Sequence, residues 1–261
     1  MKKFIFAIAA VALLIGCEKN EPQNPNDNPA DDGSVSTKPE YRKVVIEEYT
    51  GIGCQYCPDG HRIVNELMKA YKNRLFAVNI HAGGYASRYY TEDGDAYLAE
   101  AEVSGFPAGV VNRHFFDEYS SGGLAINRGY FSSASRKLLT MMSPVNIAAT
   151  AVINKKTREL TVEVNGYYTS DPVDEDSQTL TSNYLYVMLL QDSVMGPQSS
   201  GAKGNPDQYD EETGLYCHMH MFRKTINGRW GDEINPVSAG SWFNKKYTYT
   251  IPETMGGDNL P

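Results

Sequence analysis

Two thiols separated by two residues, in the tetrad Cys54-Gln55-Tyr56-Cys57, are the side chains whose type and spacing point most directly to chemistry. The tetrad follows the apolar run Val44-Val45-Ile46-Glu47-Glu48-Tyr49 and precedes a helical pattern of Ile63, Val64, Leu67, Met68 and Tyr71. Two cysteines at such a strand-to-helix junction read as a redox pair. The first helical turn carries unpaired N–H groups and partial positive charge, so a thiolate placed there is stabilised and reactive near neutral pH. The second cysteine lies within reach of the first and closes or releases a disulfide with little strain. Half a zinc site has the same spacing, but the chain has no second Cys-x-x-Cys to complete one, which favours redox over metal. No metal or cofactor is expected.

The elements that must position this pair alternate between strands and helices. Residues 44–49 read as a strand, 58–71 as an amphipathic helix, 75–81 as a nearly all-apolar strand, 96–103 as a second helix and 110–112 as a third strand. A helix over 129–142 closes this part. The order strand, helix, strand implies a right-handed crossover between parallel strands. Texture changes at Ser143-Pro144, beyond which apolar residues recur with period two. Runs 145–149 and 160–164 flank the polar stretch 154–158 as a hairpin, and 184–190 and 246–251 are further strands rich in tyrosine. An antiparallel sandwich is expected there. The chain stops at Asn259-Leu260-Pro261 without a closing strand, an ending that reads as irregular or incomplete.

A second mark sits at Gly105-Phe106-Pro107, just before the third strand. Strand, Cys-x-x-Cys, helix, strand, helix and a proline loop facing the cysteines together resemble the thioredoxin fold. The resemblance implies a cis proline at Pro107, with Phe106 offering its backbone to an extended substrate peptide and Tyr56 beside it. The expected fold is therefore an α/β thioredoxin-like domain over residues 41–142, followed by an all-β antiparallel sandwich domain over 143–261. The chain departs from ordinary thioredoxins in carrying Gly53, not Trp, before the first cysteine, and Pro58 after the second. Proline is tolerated only in the first turn, so the helix is expected to begin at Cys57 or Pro58, leaving Cys54 slightly ahead of it. Of Glu47 and Glu48, alternate on their strand, one should face inward, where a carboxylate near the pair can shuttle a proton from Cys57. His61 reads as a surface helix residue, and His81, at the end of its strand, as a neighbour of Cys54 or a holder of its loop.

The chain as a whole resembles an outer-membrane lipoprotein family named for a mass near twenty-eight kilodaltons, whose members pair a thioredoxin-like N-terminal domain with a β domain. The resemblance rests on Glu47-Glu48-Tyr49-Thr50-Gly51 leading into the Cys54–Cys57 tetrad and Pro58, and on Gly105-Phe106-Pro107 with Val111-Asn112-Arg113. It also rests on residues 218–223 with Asn227-Gly228-Arg229-Trp230-Gly231. It implies outer-membrane attachment, and adhesin or receptor roles beside the redox-like fold.

The N-terminus agrees with export. Lys2 and Lys3 precede an apolar stretch too short to span a bilayer, which ends in Leu14-Ile15-Gly16-Cys17. This resembles a bacterial lipobox, implying removal of residues 1–16 and lipidation of Cys17. Residues 17–40, with four prolines and many Asn and Asp, read as a disordered tether. Losing Lys2 and Lys3 takes the formal charge from -8 to -10, an acidic surface that disfavours nucleic acid. The expected location is the outer membrane, lipid-anchored, on its periplasmic or cell-surface face.

Other motifs have plainer readings. Cys217-His218-Met219-His220-Met221 contains soft metal donors, but strand alternation puts Cys217, Met219 and Met221 on one face and the histidines on the other, which suits a buried sulfur face. The acidic run 207–212 lacks the spaced ligands of a calcium loop and reads as solvated. Asp192-Ser193-Val194 matches a short O-glycosylation pattern. Two functions follow. In one, an oxidoreductase acts on protein or peptide thiols and disulfides, with Cys54 attacking, Cys57 resolving and Pro107 and Phe106 positioning the peptide. In the other, a surface lipoprotein binds a ligand through its β domain and the cysteines form a static disulfide.

Overall fold

The structure is a computed structural model, which describes residues 7–11, 35–120, 122–174, 176–255 and 258–259. Its first elements are β1 (Val44–Thr50), α1 (Cys57–Tyr71), β2 (Leu75–His81), α2 (Glu92–Glu100), β3 (Ala108–Val111) and α3 (Phe131–Leu139). Next come β4 (Val145–Asn154), β5 (Glu159–Tyr168), β6 (Asn183–Gln191) and β7 (Val194–Gly196). The remaining main strands are β8 (Leu215–His218), β9 (Met221–Thr225), β10 (Asp232–Ile234) and β11 (Trp242–Thr250). They form two compact units.

The first unit comprises Arg42–Met141, Leu189–Thr225 and the segment from Glu253. Its sheet runs β9-β2-β1-β3, with the short strand Ile126–Asn127 outside β3. β1 and β2 are parallel, in a register that pairs Val44 with Leu75 and Thr50 with His81. β3 runs antiparallel to β1, Tyr49 facing Ala108. Every residue of β1 is buried, as expected of a central strand covered on both faces. Alternation then divides its side chains. Val44 and Ile46 join Val64, Leu75, Phe131 and Leu138 in the core that carries α1 and α3. Glu47 and Tyr49 take the other face, where the Tyr49 hydroxyl donates to the Tyr97 carbonyl of α2 at 3.0 Å. α2 begins four residues before its sequence expectation, because Thr91 caps it by accepting from the Gly94 N–H at 3.0 Å.

Residues 189–225, expected in the second domain, belong to this first unit. Within them β7, β8 and the short strand Tyr209–Asp210 form a small antiparallel sheet, and β9 pairs with β2 at Met221 and Asn79. The facing of β8 corrects the sequence reading: Tyr216 and His218 are buried while Cys217 is only half-buried. Polar partners inside the unit, described below, draw the tyrosine and histidine inward and leave Cys217 and Met219 half-buried, while Met221, on β9, is buried as expected.

The second unit comprises Met142–Met188 and Ile226–Pro252, with the N-terminal residues to Tyr41. β4, β5 and β11 form an antiparallel sheet with β5 in the middle, Val145 facing Tyr168 and Trp242 facing Tyr167. The turn joining β4 to β5 uses Arg158 at φ 59°. β10 runs antiparallel to the first part of β6, and Asn183 donates to the Tyr168 hydroxyl at 3.1 Å. Of the expected signal peptide, Ala7–Val11 is described, as a strand parallel to Tyr184–Met188. Cys17 lies outside the described residues. Among the described residues no helix is long and apolar enough to cross a membrane.

Candidate functional site

Cys54 and Cys57 are joined by a disulfide, their Cα atoms 5.5 Å apart. α1 starts at Cys57 with Pro58 in its first turn, so the second cysteine occupies the head of the helix and the first lies in the preceding loop. The dipole argument made for Cys54 therefore transfers to Cys57. That loop is held from two sides. Its Cys54 N–H donates to the Gly51 carbonyl at 3.0 Å, and the Gly53 N–H to the Tyr85 carbonyl at 3.3 Å. Gly51 is glycine for a steric reason, since a Cβ there would lie 2.5 Å from the Tyr85 backbone.

The loop is covered, which the sequence did not indicate. The Gln198 side-chain amide donates to the carbonyls of Cys54, at 3.0 Å, and Gly51, at 3.3 Å, and the Ser199 N–H donates to the Ile52 carbonyl at 2.8 Å. Cys54 is 5% exposed and Cys57 0%, so the junction is nearly closed over.

Pro107 directly precedes β3. Its peptide bond with Phe106 is cis, and the proline packs on α1: a Cβ at Gly60 would lie 3.1 Å from Pro107 Cβ and Cγ and would also strike the Glu48 carboxylate. Tyr56 is 64% exposed beside the pair, with the Arg128 guanidinium 5.8 Å from its ring centre. Phe106 is half-buried and meets Tyr85 edge to face at 5.6 Å. Tyr56 thus lies in the disulfide loop, Tyr85 packs against that loop at Gly53 and Phe106 packs on Tyr85, which was not foreseen. Arg128 also pairs with Asp59 of α1 at 2.7 Å.

Both strand glutamates are buried, where one was expected. Glu47 turns towards α2 and takes a bidentate grip from Arg113 at 2.8 and 2.9 Å. Glu48 turns towards α1, where neither carboxylate oxygen has a hydrogen-bond partner among the described residues. Burial pushes its carboxyl well above the usual range, against the opposing pull of Arg128 and with help from Asp59.

His61 is not on the surface. Its ring is buried between the Thr50 hydroxyl and the Tyr216 hydroxyl, each at 2.9 Å. His81 lies among rings, 5.2 Å from both Tyr89 and His218. Burial, then the nearby His218, holds the His61 imidazole down at about 3, and the same causes depress His81. Tyr216 and His218 come from β8, so the inserted segment and the body of the unit share a histidine and tyrosine cluster. Sequence alternation contained the signal, but the polar face was read as the outer one. Among the described residues no group of three or more His, Cys, Asp or Glu is arranged to hold a metal ion.

Residues 94–260 match a family model described as outer membrane protein Omp28. Among solved structures, HBP35 of Porphyromonas gingivalis is similar over 82% of this chain and 66% of its own, just under two thirds, with 21% identity and a TM-score of 0.61. A protein of Agrobacterium tumefaciens matches over 80% of this chain and 79% of its own, with 10% identity and a TM-score of 0.45. The HBP35 likeness is one of fold. No curated protein matches.

Proposed function

From the premise that this chain belongs to the Omp28 family of outer membrane proteins, we propose that it is a lipid-anchored, thioredoxin-like protein that exchanges disulfides with extended peptide segments. What carries the reading is one juxtaposition: a Cys54–Cys57 disulfide at the head of α1, with Pro107 and the Glu48 carboxyl packed together against the same helix at Gly60. In the reduced protein the Cys54 thiolate, the more accessible of the two, attacks a substrate sulfur and forms a mixed disulfide. Glu48 takes the proton of Cys57, whose sulfur then displaces the substrate thiolate. The Cys54–Cys57 bond re-forms and the substrate disulfide is reduced. Phe106 and Tyr56 flank the peptide, and Cys17 carries the lipid.

The near burial of Cys54 beneath Gln198 and Ser199 favours a second reading, a surface-binding lipoprotein with a structural disulfide. The reduction potential of the pair separates the two. Exchange predicts a value within roughly -120 to -270 mV, and capture of a mixed disulfide by the Cys57→Ser variant. A potential below about -300 mV with no captured partner overturns the exchange reading.

A further inference from the structure

The outward turn of Cys217 and of Met219 just beyond β8 gathers donors that the redox reading does not use. Cys217 is half-buried, and its thiol lies 3.8 Å from the thioether sulfur of Met219, to which it donates. Ser193 steadies that thioether through its N–H at 3.4 Å and its hydroxyl at 3.8 Å. Across the β7–β8 ladder Met195 stands directly opposite Cys217 and therefore projects from the same face. Its side chain is 40% exposed.

We propose that Cys217, Met219 and Met195 form a site for a soft monovalent cation of the copper(I) and silver(I) class. With metal–sulfur bonds of about 2.3 Å, two sulfurs 3.8 Å apart subtend an angle of about 110° at a shared ion. That bent geometry leaves a third position, which Met195 is placed to fill. Thiolate and thioether donors select copper(I), whereas zinc requires four nitrogen, thiolate or carboxylate ligands, which this face lacks. His220 does not compete through Nδ1, which lies 3.0 Å from the Asp192 carboxylate. On binding, the ion replaces the thiol hydrogen that now points between the sulfurs. The S–H bond breaks, the proton passes to water, a metal–thiolate bond forms and no electrons are transferred.

Silver(I) is the probe, because it needs no reductant and leaves the Cys54–Cys57 disulfide closed. In the oxidised Cys17→Ser protein, Cys217 is the one remaining free thiol of the four cysteines. Calorimetric titration should give one silver per chain, and X-ray absorption should show a first shell of three sulfurs. Cys217→Ser should abolish binding. Met219→Leu and Met195→Leu, which conserve volume and so keep the fold, should each weaken it at least ten-fold. Methionine variants that bind as tightly as the parent would show a thiol acting alone and overturn the site, as would a shell of fewer than three sulfurs.

Discussion

With neither oxygen partnered among the described residues beneath the first turns of α1, Glu48 holds its proton into a range where an exposed glutamate has lost it. Above the ordinary value of 4.5 the folded chain therefore binds more protons at this site than the unfolded chain. Its contribution to stability is complete below 4.5 and is lost as pH rises towards the elevated folded value. Glu48→Gln should flatten that decline and raise the melting temperature at pH 8, as thermal unfolding across a pH series would show. The same variant should slow resolution of a Cys54 mixed disulfide by about ten-fold or more, since general-base assistance is lost. Of these residues, the Cys54–Cys57 pairing was legible from residue type and spacing, and the cis bond between Phe106 and Pro107 through the thioredoxin resemblance. Glu48 was half legible: alternation announced one inward carboxylate, but not that Arg113 would allow Glu47 to be buried as well. Nothing local marks Gln198 as a lid on Cys54, because the two meet only through the fold.

At the scale of elements, the inserted segment is fastened to the body of the first unit by buried, uncharged imidazoles. The folded value of His61 lies at about 3, below its ordinary 6.5, so the unfolded chain binds more protons between those limits. Stability contributed here is present above pH 6.5 and is lost as pH falls towards about 3. Amide exchange in β8 should accelerate between pH 7 and pH 5, relative to intrinsic rates, more than in β4 and β5, which carry no histidine. Equal acceleration in the two regions would count against the cluster as the fastening. β1 and β2 were readable to within a residue because buried parallel strands are continuous apolar runs. The run 217–221 was read as one alternating strand, but β8 ends at His218, which turns inward with Tyr216, and only Met221 of the expected sulfur face is fully buried. A rule that sends sulfur inward and imidazole outward fails where the interior already holds Thr50, His61 and Tyr89 as polar and aromatic partners.

For the whole molecule, the proposed lipid anchor rests on the thiol of Cys17. Cys17→Ser should release the protein from the membrane fraction and abolish incorporation of labelled fatty acid, while the Cys54–Cys57 disulfide still forms. Retention of the variant in membranes would show a different anchor. The division of the two compact units between Met141 and Met142 was legible as a change of periodicity at Ser143-Pro144. The return of residues 189–225 to the first unit was not, because a sequence read in one direction carries no sign that a chain will leave a unit and come back.

That return has a consequence for synthesis. The ribosome delivers Cys54 and Cys57 about 160 residues before Tyr216, the hydroxyl that holds the buried His61. Until the later stretch emerges, the early half waits with imidazoles and a sulfur pair uncovered. Expression of residues 41–142 alone would make that waiting state permanent, and the unit would be whole again only on adding back the distant segment in trans.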